Sequence, residues 1–229
     1  MQPLTGRRIL ITGGTRGIGR AAATCLSDAG ASVFISGRNR ETVDAACTDL
    51  NLPGKVCDVA DYDSCRLLLE RATHSLGGLD AVINSAGVGD IKNIEDASPA
   101  DWRQMIEINL IGTFNICKAA IPFLKASARA DIINLGSRAG RYAFAGGTAY
   151  CASKSGIQGF SEALFLDLEK YGVSVSLIAP GPVNTGFPGV DPDNWTLRPE
   201  DVATAIRHCL ESDRGANLNW IEMRPSRRP

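Results

Sequence analysis

Between Thr12 and Gly19 the chain reads TGGTRGIG, and what flanks that glycine cluster decides how it must be read. In front of it, Arg7 to Gly13 is a short apolar run ending in glycine, the pattern of a strand buried on both faces. Behind it, 17–29 reads as a helix stopped by Gly30 in the usual C-terminal glycine position. Strand, tight turn and helix in that order make the first part of a βαβ unit, and the alternation repeats. Strands are predicted at 31–36, 55–57, 79–85, 131–136, 173–179 and 218–223, with helices near 40–50, 61–76, 98–124, 148–171 and 199–212. Ser98-Pro99-Ala100-Asp101 marks one helix start, with a capping Ser, Pro at the first helical position and an acid three residues after the cap. The fold class is α/β: a doubly wound sheet of about seven parallel strands with helices on both faces, with no repeat or linker to divide 1–229.

In that context the glycines are a phosphate cradle. They let a ligand phosphate approach bare backbone, and the helix N-terminus behind them favours negative charge. Gly13, Thr15, Arg16, Gly17, Ile18 and Gly19 are the candidate dinucleotide residues, although the Gly13/Gly17/Gly19 spacing differs from GxGxxG. At the end of the second strand an acid would bind a ribose 2′-hydroxyl; the chain has Ser36-Gly37-Arg38, and an Arg suits a 2′-phosphate. With Arg16 as a second positive charge, the expected cofactor is NADP(H) in preference to NAD(H). Asp58 and Val59, after the third strand, fall at the adenine edge. Asn84-Ser85-Ala86-Gly87, Ser137 and Pro180-Gly181 follow later strands, whose carboxyl ends line the ligand crevice of such a sheet.

The chemistry is expected at Tyr150-Cys151-Ala152-Ser153-Lys154. Four residues apart on a helix, the phenol of Tyr150 and the ammonium of Lys154 share one face. At about 4 Å and an effective dielectric of about 20, their attraction is roughly 4 kcal/mol, an upper limit of about three pK units off the phenol. Tyr150 would then act as a general acid or base near neutrality. Ser137 lies close enough in sequence to return its hydroxyl to the same pocket.

These residues together resemble the short-chain dehydrogenase/reductase family over nearly the whole chain. Thr12–Gly19 is similar to its TGxxxGxG turn, Asn84–Gly87 to its NNAG element, Ser137, Tyr150 and Lys154 to its Ser…YxxxK centre, Asn109 to its helix Asn and Pro180–Thr185 to its PGxVxT segment. The resemblance implies a single Rossmann-type domain with a short substrate lid at 186–198. It implies that Tyr150 exchanges a proton with the substrate oxygen while hydride moves to or from the nicotinamide. Ser137 would position that oxygen, Lys154 would hold the nicotinamide ribose and lower the Tyr150 pKa, and Asn109 would hold a relay water. Thr185 and the backbone near Val183 would hold the carboxamide. The branch it resembles is that of 3-oxoacyl-carrier-protein reductases, with a 3-hydroxy-acid dehydrogenase as the enzymatic alternative and an NADP(H)-binding sensor or scaffold as the non-catalytic one. Ser85 stands where the family has a second Asn, and Trp220–Pro225 replaces its usual VDGG-like ending.

Substrate choice is expected from Val88–Ile94, Arg138–Gly147 and 185–198; Phe187, Trp195, Tyr142 and Phe144 read equally as an apolar wall or as plain packing, and Arg138 and Arg141 read first as exposed loop charge, with contact to an acidic substrate as the alternative. A net charge of −1 excludes a phosphate-neutralising surface, so neither nucleic acid nor membrane is an expected partner; a small carbonyl or alcohol substrate and a homodimer or homotetramer are. Seven Cys are spread singly with no CxxC and no metal-like cluster with His74 or His208. A reducing cytoplasm is the expected compartment, and no metal is called for. Both His fall near expected helix C-termini.

Overall fold

The computed structural model describes residues 2–186, 195–213 and 215–226. Its centre is a seven-stranded parallel sheet in the order β3-β2-β1-β4-β5-β6-β7. The strands are β1 (Arg8–Thr12), β2 (Ser32–Gly37), β3 (Gly54–Val56), β4 (Ala81–Asn84), β5 (Ala130–Leu135), β6 (Val173–Pro180) and β7 (Trp220–Met223). Between them run α1 (Gly17–Asp28), α2 (Arg40–Leu50), α3 (Tyr62–Leu76), α4 (Pro99–Ile106), α5 (Gly112–Leu124), α6 (Thr148–Leu168) and α7 (Pro199–Glu211). The doubly wound expectation holds. The order doubles back between β1 and β4, the switch point where a crevice opens at the carboxyl ends of the strands.

The pleat divides the core in two. Ile9 and Ile11 of β1, with Val33 and Ile35 of β2, pack beneath Leu26 of α1 and Ile206 of α7. Leu10 and Phe34, the alternate residues, pack beneath Leu68 of α3, Ile116 of α5 and Leu164 of α6. Continuous apolar strands are required because both faces are covered. At the amino ends of the strands, buried Arg7 pairs with Asp131 at 2.6 Å, and Arg8 grips Asp80 through Nε at 2.8 Å and Nη2 at 2.6 Å. Charge is thus matched at the edge away from the crevice.

Local signals behave as their chemistry requires. Ser98 Oγ accepts from the Asp101 backbone N–H at 3.1 Å, capping α4. His74 and His208 lie in the last turns of α3 and α7. The helix expected at 98–124 is interrupted, however, by a π-helical turn over Glu107–Ile111. Asn109 lies within this turn and is fully buried. Phe187 and most of the expected lid lie outside the described residues.

Candidate active site

The crevice is a cavity of about 910 Å³ above β1, β2, β4, β5 and β6. Its first end is backbone. Gly13 has φ +66°, and a Cβ there would come within 2.8 Å of the Ala86 nitrogen and the Ser85 oxygen. A Cβ on Gly19 would meet the Gly13 carbonyl at 2.2 Å. The turn and the first turn of α1 therefore close on one another only because these positions carry no side chain. Thr12 fastens this turn to the neighbouring strand end, its Oγ1 accepting from the Ser85 and Ala86 N–H groups at 3.2 Å each. Gly13, Thr15, Arg16, Gly17, Ile18, Arg38, Asp58, Val59, Ala86, Gly87, Pro180, Gly181, Val183 and Thr185 all line the cavity. The exposed guanidiniums of Arg16 and Arg38 have no ion-pair partner among the described residues. Around Arg38 the wall is completed by Ser36, Asn39 and Thr42, which the sequence reading missed. Thr42 follows the α2 cap Asn39 by three residues, and that spacing was the available signal.

The second end is made of side chains. Ser137, two residues past β5, caps a short helical turn over Arg138–Gly140, its Oγ accepting from Ala139 N–H at 3.1 Å. That turn sits tightly on α6: a Cβ on Gly140 would lie 2.8 Å from the Lys154 carbonyl oxygen, and Ser155 Oγ donates to the Gly140 oxygen at 2.8 Å. This packing brings the Ser137 hydroxyl into hydrogen-bond contact with the Tyr150 phenol. Lys154, one turn along α6, is buried, and its Nζ donates to the Leu135 carbonyl at 2.8 Å. Ser137, Tyr150 and Lys154 all face the cavity.

The electrostatics differ from the expectation. Lys154 Nζ stands 5.7 Å from the Tyr150 ring centroid, and its hydrogen bond goes to Leu135. Burial pushes the Tyr150 phenol up to about 12, against which the Ser137 hydrogen bond pulls down. Burial also pushes Lys154 down to about 8. The sequence argument set a charge beside the phenol and left out the desolvation that both groups undergo. In this state Tyr150 is a protonated phenol, the form that gives a proton.

Three expected site residues are not on the cavity wall. Asn109 Oδ1 accepts from Val88 N–H at 2.8 Å, while its Nδ2 donates to Val88 O at 2.9 Å and Ser153 Oγ at 3.1 Å. Ser153 Oγ in turn donates to the Tyr150 carbonyl at 2.8 Å. The Asn109 amide therefore fixes the loop after β4 against α6. Asn84 points beneath the cavity, donating to Asn134 Oδ1 at 2.8 Å. Gly19 packs behind Gly13. Of the expected apolar wall, Tyr142 and Phe144 line the cavity and Trp195 does not.

Among the described residues no three His, Cys, Asp or Glu side chains gather as a metal site would require, and no helix is long and apolar enough to cross a membrane. A family profile described as short chain dehydrogenase matches residues 7–192. An uncharacterized oxidoreductase of Staphylococcus aureus (strain USA300) is 34% identical over 98% of this chain and 100% of its own length. Among solved structures, a short chain dehydrogenase from Burkholderia cenocepacia J2315 in complex with NADP superposes with a TM-score of 0.87 at 26% identity, covering 98% of each chain. The closed form of a serine dehydrogenase complexed with NADP+ superposes at 0.88 with 30% identity, covering 95% of this chain and 94% of its own.

Proposed function

Because this chain belongs to the short chain dehydrogenase family of oxidoreductases, we propose that it reduces a ketone or aldehyde, of the 3-oxo acid or 3-oxoacyl kind, to the alcohol with NADP(H). The observation that carries the reading is the hydrogen bond between the Ser137 hydroxyl and the Tyr150 phenol on the wall of the cavity that the glycine turn opens. The residues fit a dinucleotide: the backbone of Gly13 to Gly19 offers a cradle that a Cβ would fill, and Arg16 and Arg38 supply charge for phosphate. NADP is bound in the solved structures of two relatives described above, which supports the same cofactor here. Arg38 would take the 2′-phosphate, Asp58 and Val59 would flank the adenine, and Thr185 would hold the carboxamide. Bound there, the cofactor would supply the hydride.

The rest is done by the chain. A carbonyl gaining hydride develops negative charge on oxygen, and Ser137 and Tyr150 are two donors aimed at one point where that charge would appear. Tyr150 gives its proton to that oxygen. Lys154, partly charged near its shifted value of about 8, answers the phenolate that remains. Asn109 keeps the Val88 loop and α6 in register, so that the donors do not drift.

Pairing of two copies through the faces of α5 and α6 completes the reading. Ile111 and Phe114 are each 42% exposed and Leu166 65%, with Phe114 edge-on to Phe160 at 6.3 Å between centroids. Phe114→Glu should give a smaller species by light scattering; an unchanged mass would place the interface elsewhere. The functional test is absorbance loss of NADPH with a panel of 3-oxo acids, acetoacetyl thioesters and aromatic aldehydes, repeated with Tyr150→Phe. Loss of turnover by about 100-fold or more with NADPH binding retained is expected of a general acid. Equal turnover in the variant would exclude the mechanism.

A further inference from the structure

Beyond Ser137 the cavity wall turns basic. Arg138, the next residue, lines the cavity with its side chain 17% exposed. Its stem passes over Gly181, where an added Cβ would lie 3.5 Å from Arg138 Cδ, and its guanidinium stacks 4.8 Å above the Tyr142 ring. Nε donates to Glu222 Oε1 of β7 at 3.1 Å, and among the described residues no other hydrogen bond engages the guanidinium. Both terminal nitrogens are left with their N–H groups to offer. Arg141 and Arg224 stand 5.7 and 5.5 Å from the same ring, and Arg224 also donates to Glu222 at 2.5 Å and to the Tyr142 hydroxyl at 3.3 Å.

Three guanidiniums thus surround one phenol ring with Glu222 as the carboxylate between them. On the facing loop, Asp90 and the nearby Asp101 are held by Lys92 at 2.7 and 3.0 Å. A stacked guanidinium tethered at Nε presents its terminal edge in a fixed direction, the geometry that a carboxylate accepts with two parallel hydrogen bonds. The position is next to the hydroxyl that would hold the reacting carbonyl.

We propose that Arg138 forms a carboxylate subsite, backed by Arg141 and Arg224, and that the substrate is a small carbonyl compound bearing a carboxylate a few bonds from its reducible carbon. The proposal rests on the carbonyl-reductase reading for its chemistry but on the cavity wall for its charge. A carboxylate matches that terminal edge oxygen for nitrogen. Glu222 keeps the anion from settling on Nε and so sets its register.

The test compares acetoacetate with methyl acetoacetate, which share the ketone and differ in the charge. The wild-type protein should favour acetoacetate in kcat/KM by at least about tenfold, the low end for a hydrogen bond to a charged group. In Arg138→Gln the ratio of the two kcat/KM values should fall by about 10- to 100-fold, and Arg138→Lys should restore only part of it. The same ratio in wild type and Arg138→Gln, or preference for the ester in wild type, would overturn the subsite. NADP+ affinity of each variant reports whether it has folded. Should neither ketone turn over while NADPH binds, the reductase reading fails for these substrates, and calorimetry with butyrate and butyramide on the NADP+-saturated protein decides the subsite separately. Butyrate binding that Arg138→Gln abolishes sustains it; equal binding of acid and amide, or of neither, overturns it.

Discussion

At the end of the cavity above β1 and β2 the wall is built around the bare backbone of the Gly13–Gly19 turn, closed by contacts that a single Cβ would break, with Arg16 and Arg38 beside it. At the end above β5 and β6 the wall is side chains drawn from separate stretches, Ser137 and Arg138 after β5 and Tyr150 and Lys154 on α6, with the carboxylate of Glu222 on the last strand tethering Arg138. The first end is specified by what is missing and tolerates almost no addition. The second is specified by what is present. A glycine cradle fits a constant part, the cofactor phosphates, and a side-chain wall fits a part that varies between substrates. One domain can therefore keep one ligand and change the other.

The contrast can be broken at its charged contact first. On the proposed pairing of Arg38 with the 2′-phosphate, Arg38→Asp replaces an attraction with a repulsion, so the NADPH/NADH ratio of kcat/KM should invert, by about 100-fold overall or more. Steady-state kinetics with both cofactors measures it, and retained NADPH preference would move recognition away from Arg38. Gly13→Ala asks whether the backbone end is as intolerant as its geometry demands. At φ +66° with the Ala86 nitrogen 2.8 Å from the new carbon, strain of about 1–3 kcal/mol is expected. Weaker NADPH binding by about tenfold and a lower Tm should follow, and wild-type affinity would mean the turn can open.

The smallest effect is expected at the opposite ends of the strands, which serve as a reference for both ends of the cavity. Burial pushes the Asp80 carboxyl up, but hydrogen bonds from Arg8 and Ser127 outweigh it and hold the group at about 2. An acid whose folded pKa lies below its ordinary value of about 3.9 adds stability above that value, and the stability is lost as pH falls through the window from about 4 to 2. Asp80→Asn should flatten that acid limb in a Tm-against-pH series and leave cofactor affinity as it was. An unaltered acid limb would show that the pair with Arg8 carries no pH-dependent stability.

Much of the site was legible because its signals are local. Glycines between a strand and a helix, Ser98 before Pro99, and a Tyr and Lys four apart each report on a few neighbouring residues. What escaped depends on distance and burial. The π-helical turn at Glu107–Ile111, which contains the fully buried Asn109, is marked by nothing in the periodicity of 98–124. The direction of the Tyr150 shift was missed because charge spacing can be counted along a helix but desolvation cannot.

The sequence by itself determined the order of strands and helices, the location of the glycine turn and the placing of Tyr150 and Lys154 on one helix, because hydrophobic period and backbone freedom act between near neighbours. Only the tertiary structure decided that Asn84 and Asn109 serve as braces, that Lys154 is held by Leu135, and that Glu222, 84 residues beyond Arg138, fixes the guanidinium at the cavity wall. Those outcomes follow from which atoms are left with partners once the chain has closed, and the pairing of a buried polar group is a property of the whole packed interior.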